Sequence, residues 1–390
     1  MSDLIEIQND IRKYYIIKQK LRMKEKYIGV QLTLLKGGLS NANYLAVVKD
    51  MSTNKEIAHV LYRKFGTLSS GTDHALETAI LEYLAKKGVG PKLLYEDPNG
   101  KFRLVEYLDG TITVPRSKSF EKDFLNKLYP IVNIYSLFSY TYKYKIRNGK
   151  IEISPIEDGI KEKRFLISKN QYETCLDEWY DKVVVSFQKF SEQFKQRVSK
   201  EKEPKEWEKL EFAQYHLDNF KNEFVKIFPT EGFFVLCHND THRLNFLMRK
   251  KDQKLFILDH EYAYLNLAGN DIVNYCNESF FNYDPEYYCT LDKINFDKLY
   301  QYYLQFIEQF IQSHKFIGNE EGGAQFLKMM KTKKYYLKLN NIANLYYFLW
   351  SFCYLDFPTW EKNHYEEFYF VHGVDRLKVY LAGMKELEKL

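Results

Sequence analysis

Apolar positions recur along the first part of the chain in short strand-like runs and then change to long stretches with a helical period. Leu4, Ile7, Ile11, Tyr14 and Tyr15 fall on one helical face, which predicts a leading helix within about the first 25 residues. Val30–Leu35, Tyr44–Val48 and Ile57–Phe65 read as strands. Between the first two lies Lys36-Gly37-Gly38-Leu39-Ser40-Asn41, a turn rich in small residues. From Thr72 to Lys87 the apolar set Leu76, Ala79, Ile80, Tyr83 and Leu84 keeps a helical spacing, and Gly88 follows as a C-terminal cap. Lys92–Tyr95 and Phe102–Tyr107 predict two more strands about the turn Asp97-Pro98-Asn99-Gly100. These elements make a small sheet lobe that ends near Gly110.

Beyond that point the period is helical over Phe120–Ser139, Asn170–Val198 and Trp207–Ile227, and again from Asn295 to Leu390. The last stretch includes the aromatic-rich Asn340–Tyr354. Val198–Lys209 is a dense run of charge, read as a solvated helix or linker. Thr141–Arg164 is poorly patterned and reads as a variable insertion. The predicted fold class is α+β: an antiparallel-sheet N-lobe over residues 1–110 and a larger, mainly helical C-lobe over 111–390.

Composition narrows the partners. At 390 residues the chain has enough length for a sizeable core and two lobes. Its 57 Lys and Arg against 52 Asp and Glu leave a net charge of +5, and the two signs are interleaved. That argues against a nucleic-acid binder, which concentrates its cations on one face. Tyr and Phe are so abundant throughout that abundance alone assigns no aromatic a role. Five widely spaced cysteines without a Cys-x-x-Cys pair favour neither a disulfide framework nor a zinc site, and point to a reducing compartment. Met1–Lys26 is charged throughout, unlike a signal peptide, and no apolar run reaches the roughly 20 residues that span a bilayer. The expectation is a soluble, cytoplasmic protein with no stable membrane insertion.

The candidate chemistry lies in two acid-bearing clusters. Cys237-His238-Asn239-Asp240-Thr241-His242-Arg243-Leu244-Asn245 is followed by a predicted hairpin, Phe246–Arg249 and Lys254–Leu258, and then by Asp259-His260-Glu261. An Asp, an Asn five residues on, and a second Asp after two strands form the catalytic plan of kinase-like phosphotransferases. Phosphoryl transfer needs an acceptor for the alcohol proton, for which Asp240 is the candidate. It also needs hard oxygen ligands for Mg²⁺, for which Asn245 and Asp259 are the candidates, with Glu261 as a further ligand. The glycine turn brings backbone N–H groups, with Gly38, Ser40 and Asn41, toward phosphates. Arg63 is a candidate for the nucleotide phosphates, held in place by Glu77 on the following helix.

The whole pattern resembles the choline/ethanolamine kinases, within the larger group that includes aminoglycoside phosphotransferases and protein kinases. Residues Gly37–Asn41, Leu61–Gly66, His238-Asn239-Asp240 with Asn245, Asp259–Tyr262 and Asn270–Asn274 carry the resemblance. Asn239 stands where the antibiotic phosphotransferases usually have glycine. The resemblance implies a bilobal protein-kinase-like fold, ATP and Mg²⁺ as cofactors, and a small-molecule amino alcohol, choline, ethanolamine or both, as acceptor. It implies Glu106 and Leu108 as backbone partners of adenine at the lobe junction, and Asp240, Glu278, Tyr283, Trp350 and Tyr369 as substrate-binding residues. Asp271 is expected to brace the catalytic loop, and a homodimer is plausible by the same resemblance. The chain departs from the family pattern at His242, Arg243, Leu244, His260 and Ser279, and Ser279 removes one aromatic wall. Competing readings are a kinase of another amino alcohol, such as an aminoglycoside, and a pseudokinase scaffold.

Overall fold

The computed structural model describes residues 2–17, 27–35, 41–66, 73–148, 150–156, 166–167, 170–282, 288–353, 355 and 365–390. The chain divides into two compact units: Met1–Pro115 with Leu244–Ala263, and Arg116–Arg243 with Tyr264–Leu390. Helix α1 (Ser2–Ile17) leads to strands β1 (Ile28–Leu34), β2 (Asn41–Asp50) and β3 (Lys55–Phe65), then helix α2 (His74–Lys86) and strands β4 (Leu93–Glu96) and β5 (Phe102–Glu106). The strands form one antiparallel sheet in the order β1-β2-β3-β5-β4. Of the apolar face read from the sequence, Ile7, Ile11, Tyr14 and Tyr15 are buried, whereas Leu4, near the start of the helix, is exposed. Ile7, Ile11, Tyr14 and Tyr15 of α1 pack with Val30, Val48, Val60, Tyr62 and Leu104 of the sheet. Replacing Ile11, which is fully buried, by Ala should cost about 2–5 kcal/mol.

Both ends of α2 are set locally. The Asp73 carboxylate accepts the Leu76 N–H at 3.0 Å, one of the donors a helix start leaves unpaired. At the other end Gly88 has φ +72°, and the N–H groups of Gly88 and Val89 bond to Ala85 and Leu84. This is the left-handed glycine stop expected there.

A short strand β6 (Thr111–Thr113) closes this part of the unit. Helix α3 (Lys122–Ser136) opens the second unit, followed by β7 (Thr141–Arg147) and β8 (Lys150–Ile156). Residues 141–156, read from the sequence as a poorly patterned insertion, are therefore a regular hairpin. Tyr142 and Tyr144 are buried while Lys143 and Lys145 alternate with them. The alternation was in the sequence but was masked by basic residues. Residues 157–165 lie outside the described residues.

A helical turn α4 (Gln171–Glu173) and a π-wound stretch, Thr174–Trp179, lead into α5 (Tyr180–Arg197). Helix α6 (Pro204–Ile227) begins inside the charged run, with Pro at its first turn. Strand β9 (Glu231–Cys237) then delivers the Asp240 loop. The chain returns to the first unit as the hairpin β10 (Phe246–Arg249) and β11 (Leu255–Ile257), with β6 pairing on the other edge of β10. Strand β12 (Tyr264–Leu267) completes the second unit's sheet, in the order β12-β9-β7-β8. Helix α7 (Asn270–Glu278), the short strands β13 (Phe281–Asn282) and β14 (Tyr288–Cys289), and helices α8 (Phe296–Ser313), α9 (Gly323–Met329), α10 (Lys333–Phe352) and α11 (Tyr365–Glu388) follow. The antiparallel sheet of the first unit and the mainly helical second unit are those the hydrophobic pattern predicts. The sequence divided the chain at residue 110; the second acid cluster groups with the first unit.

Candidate active site

Gly38, Ser40 and Tyr283 lie outside the described residues. The other residues singled out in the sequence divide between the two units.

In the first unit Arg63 is the centre of a carboxylate cluster. Its guanidinium meets Glu77 at 3.2 Å through Nη1, and Asp259 at 3.0 Å and Glu261 at 3.3 Å through Nη2. Glu77 is also bound by Arg103 at 3.1 Å, and the Asn41 amide donates to Glu261 at 3.1 Å. The expected Arg63–Glu77 pair is present, and the sequence did not foresee that Arg63 also holds Asp259 and Glu261. Burial opposes the charge on Arg63, but Glu77, Asp259 and Glu261 outweigh it and push its pKa above the ordinary value. Burial likewise works to raise the Glu77 carboxyl, yet Arg63, the bond from His74, and Arg103 hold it down at about 2.

The hairpin explains how Asn245 and Asp259 come to the same place. Phe246 pairs with Ile257, and the Leu258 N–H donates to the Asn245 carbonyl at 2.9 Å, so the two candidate ligands flank one end of the ladder. Asp259 has φ +63°, a left-handed conformation in which Asp is tolerated better than most residues. The donor set fits Mg²⁺: two carboxylates converging on one guanidinium nitrogen, with an amide at the same hairpin end. Mg²⁺ takes few protein oxygens and completes its shell with water and phosphate. Among the described residues there is no cluster of three or more His, Cys, Asp or Glu side chains of the kind that cages a metal.

At the other expected nucleotide position, the Glu106 N–H is bonded to the Lys92 carbonyl at 2.8 Å. The Leu108 carbonyl accepts from the Thr111 hydroxyl at 2.6 Å.

In the second unit the Asp240 loop is held from behind. Asp271 accepts the N–H groups of His238 and Asn239, and the Thr241 hydroxyl donates to the Asp271 carbonyl. Asn239 has φ +64°; its amide donates to the carbonyls of Cys237 and Tyr264 and accepts from Asn266 at 2.9 Å. Burial raises the Asp271 pKa, while His238 and the two backbone bonds act against that rise. The Asp240 carboxylate itself stays 23% exposed, 3.4 Å from His242 Nε2, so it remains reachable by a hydroxyl.

Tyr347 on α10 is the residue that sequence reasoning missed here. Its hydroxyl donates to the Asn239 carbonyl, lies 3.4 Å from Asp240 Oδ1, and accepts from the Asn274 amide at 2.8 Å. A usable signal existed: Tyr347 precedes Trp350 by one helical turn, and their rings meet at 6.0 Å. Trp350 in turn meets the ring of Tyr369 at 5.9 Å. Glu278, at the end of α7, is paired with Arg376 of α11, a second residue that the sequence did not flag. Ser279 bonds back to the Cys276 carbonyl at 2.6 Å and supplies no ring.

Arg376 is fully buried. Its guanidinium lies over the rings of Phe281 at 4.0 Å and Tyr347 at 4.5 Å. Its Nε–H donates to His372 Nε2, whose other ring nitrogen meets the Ser351 hydroxyl at 2.7 Å. Burial, and then the adjacent Arg376, push the His372 pKa well below the usual value, so the ring is neutral and can accept that bond.

A braced Asp loop in the second unit, and in the first an Asn and Asp flanking a hairpin and an Arg–Glu pair between strand and helix, are the parts that the kinase-like phosphotransferase pattern calls for. Residues 32–381 match the choline/ethanolamine kinase family, and the chain belongs to it. A probable ethanolamine kinase of Arabidopsis thaliana is 25% identical over 277 residues, covering 69% of this chain and 61% of that protein. The chain therefore matches less than two thirds of that relative's length. Among solved structures, a choline kinase of Cryptosporidium parvum Iowa II superposes with a TM-score of 0.63 at 16% identity, covering 99% of this chain and 96% of that one. A Plasmodium vivax ethanolamine kinase gives 0.55 at 13% identity, with 95% and 88% covered. At these identities the structural likeness concerns the fold.

Proposed function

We propose that the chain is an ATP- and Mg²⁺-dependent kinase that phosphorylates the hydroxyl of choline, ethanolamine or both, in the cytoplasm, supplying phosphorylated head groups for phospholipid synthesis. The observation that carries this reading is the Asp240 carboxylate, left partly exposed on a loop whose backbone is fixed by Asp271. The acceptor oxygen attacks the γ-phosphorus as the bond to the β-phosphate oxygen breaks. ADP leaves with that electron pair, and the alcohol proton passes to Asp240. Tyr347 fixes the loop by bonding the Asn239 carbonyl and biases the orientation of the Asp240 carboxylate. Asn245 and Asp259, with Glu261, would hold Mg²⁺, which neutralises phosphate charge when bound. Arg63 supplies a fixed cation for the nucleotide, with Glu77 as its anchor. Asn41 and the glycine turn approach the phosphates, and Glu106 and Leu108 offer backbone groups to adenine.

The test is turnover of ATP and Mg²⁺ with choline and ethanolamine side by side, with Asp240→Asn as the blank. Activity on either alcohol that vanishes in the variant is expected. Retained nucleotide binding with no transfer to either would move the assignment to another amino alcohol or to a scaffold.

A further inference from the structure

A guanidinium drawn out of water needs an acceptor or a ring face, because burial removes the solvent that carries its charge. Arg12, Arg63, Arg103, Arg116, Arg249 and Arg376, all half-buried or buried, each have a carboxylate or a backbone carbonyl. Arg243 does not. It is half-buried, and no carboxylate, carbonyl or ring face meets its guanidinium among the described residues. Its charge reaches Tyr275 of α7, whose hydroxyl donates to the Ser119 carbonyl at 3.0 Å. There it works against burial, which pushes the Tyr275 pKa up.

Arg243 follows Asp240 by three residues, so the two backbones are at most about 11 Å apart. The loop between them is tied to α7: the Asn274 amide donates to the Thr241 carbonyl at 3.2 Å and to the Tyr347 hydroxyl at 2.8 Å, and Tyr275 is the next residue of that helix. An amino alcohol arrives as a cation, and a fixed positive charge nearby repels it. What turnover changes at Asp240 is the hydroxyl, which leaves as a phosphate monoester carrying close to two negative charges at neutral pH. The planar fork of arginine matches a pair of phosphate oxygens. The free acceptor offers Arg243 nothing; the phosphorylated acceptor offers the partner that the protein withholds.

We infer that Arg243 binds the phosphate group of the product: it holds the phosphoryl that the alcohol has gained at Asp240 and makes no attractive contact with the free alcohol. The inference rests on the proposed kinase reading and deepens it. Accumulated product then competes with fresh acceptor for the same place, and Arg243 sets how strongly.

The test is calorimetric binding of ethanolamine, choline and their O-phosphorylated forms to the full-length wild type, Arg243→Gln and Arg243→Lys, with phosphoryl transfer from ATP measured separately. The glutamine variant is expected to lose about tenfold or more in affinity for the phosphorylated alcohol, the scale of a charge-assisted pair. Its affinity for the free alcohol should be unchanged or increased. The lysine variant should fall between, because it keeps the charge and loses the fork. Equal losses for the two forms, or none for the phosphorylated one, overturn the inference. If the glutamine variant does not fold, the lysine variant decides by the same comparison. Transfer to either alcohol by the wild type, with product affinity indifferent to Arg243, leaves the kinase reading standing and removes this inference. Arg243-dependent binding of the phosphorylated alcohols without transfer does the reverse. A wild type that binds neither phosphorylated alcohol overturns the inference whatever its transfer activity.

Discussion

Asp271 accepts the backbone N–H groups of His238 and Asn239, one on each carboxylate oxygen, both at 2.9 Å. The loop that presents Asp240 is thus fixed by an acid that never needs to touch a substrate. Asp271→Asn keeps the shape but turns an N–H₂ toward one of those donors. We expect a loss of about 1–3 kcal/mol in stability from the unpaired buried group, read by denaturant unfolding. The kcat should fall while nucleotide affinity is retained.

Asn239 pays for its left-handed backbone with side-chain bonds to Cys237, Tyr264 and Asn266. Asn239→Gly removes those bonds but suits the φ of +64°. Asn239→Ala removes the bonds and keeps the strain. The alanine variant should be less stable than the glycine variant by about 1 kcal/mol, measured as the difference in unfolding free energy at one pH.

Tyr347→Phe removes a single oxygen that contacts the Asn239 carbonyl, Asp240 and Asn274. A positioning role predicts a kcat lowered by about tenfold with the KM for the amino alcohol nearly unchanged. A parallel rise in KM with no change in kcat would assign the hydroxyl to substrate binding instead.

Glu77 sets an acid limit on the first unit. Its folded pKa is depressed from 4.5 to about 2, so the stability it contributes is present above its unfolded value. That contribution is lost as pH falls from 4.5 through about 2. The shift corresponds to about 3 kcal/mol as an order of magnitude. Unfolding free energies of the wild type and Glu77→Gln should therefore converge as pH falls through that window. A constant difference would mean that the pair with Arg63 and Arg103 contributes no linked stability.

The elements that the sequence made legible are those whose signals are local. The α1 stripe, the Asp73 cap and the Gly88 stop depend on neighbours a turn away, and the ladder between Phe246 and Ile257 follows from a short hairpin. The contacts that escaped were long-range. Arg376 lies on α11 and reaches Glu278, and Tyr347 lies on α10 and reaches Asn239; no periodicity reports such partners. The β7–β8 hairpin was lost for a different reason, because its outward lysines diluted the apolar alternation of Tyr142, Tyr144 and Ile146. For Gly38, Ser40 and Tyr283 the assigned roles stay with the sequence pattern and the family.

The carboxylate cluster around Arg63 also has a charge count. Glu77, Glu96, Asp259 and Glu261 bring four negative charges, and Arg63 and Arg103 bring two positive ones, leaving an excess of two negative charges (−4 + 2 = −2). One divalent cation cancels that excess, whereas a nucleotide arriving alone enlarges it. Arg63 Nη2 meets both Asp259 and Glu261, so on the proposed function a divalent ion held by those two carboxylates would compete with Arg63 for the same oxygens and would leave that nitrogen to other anions.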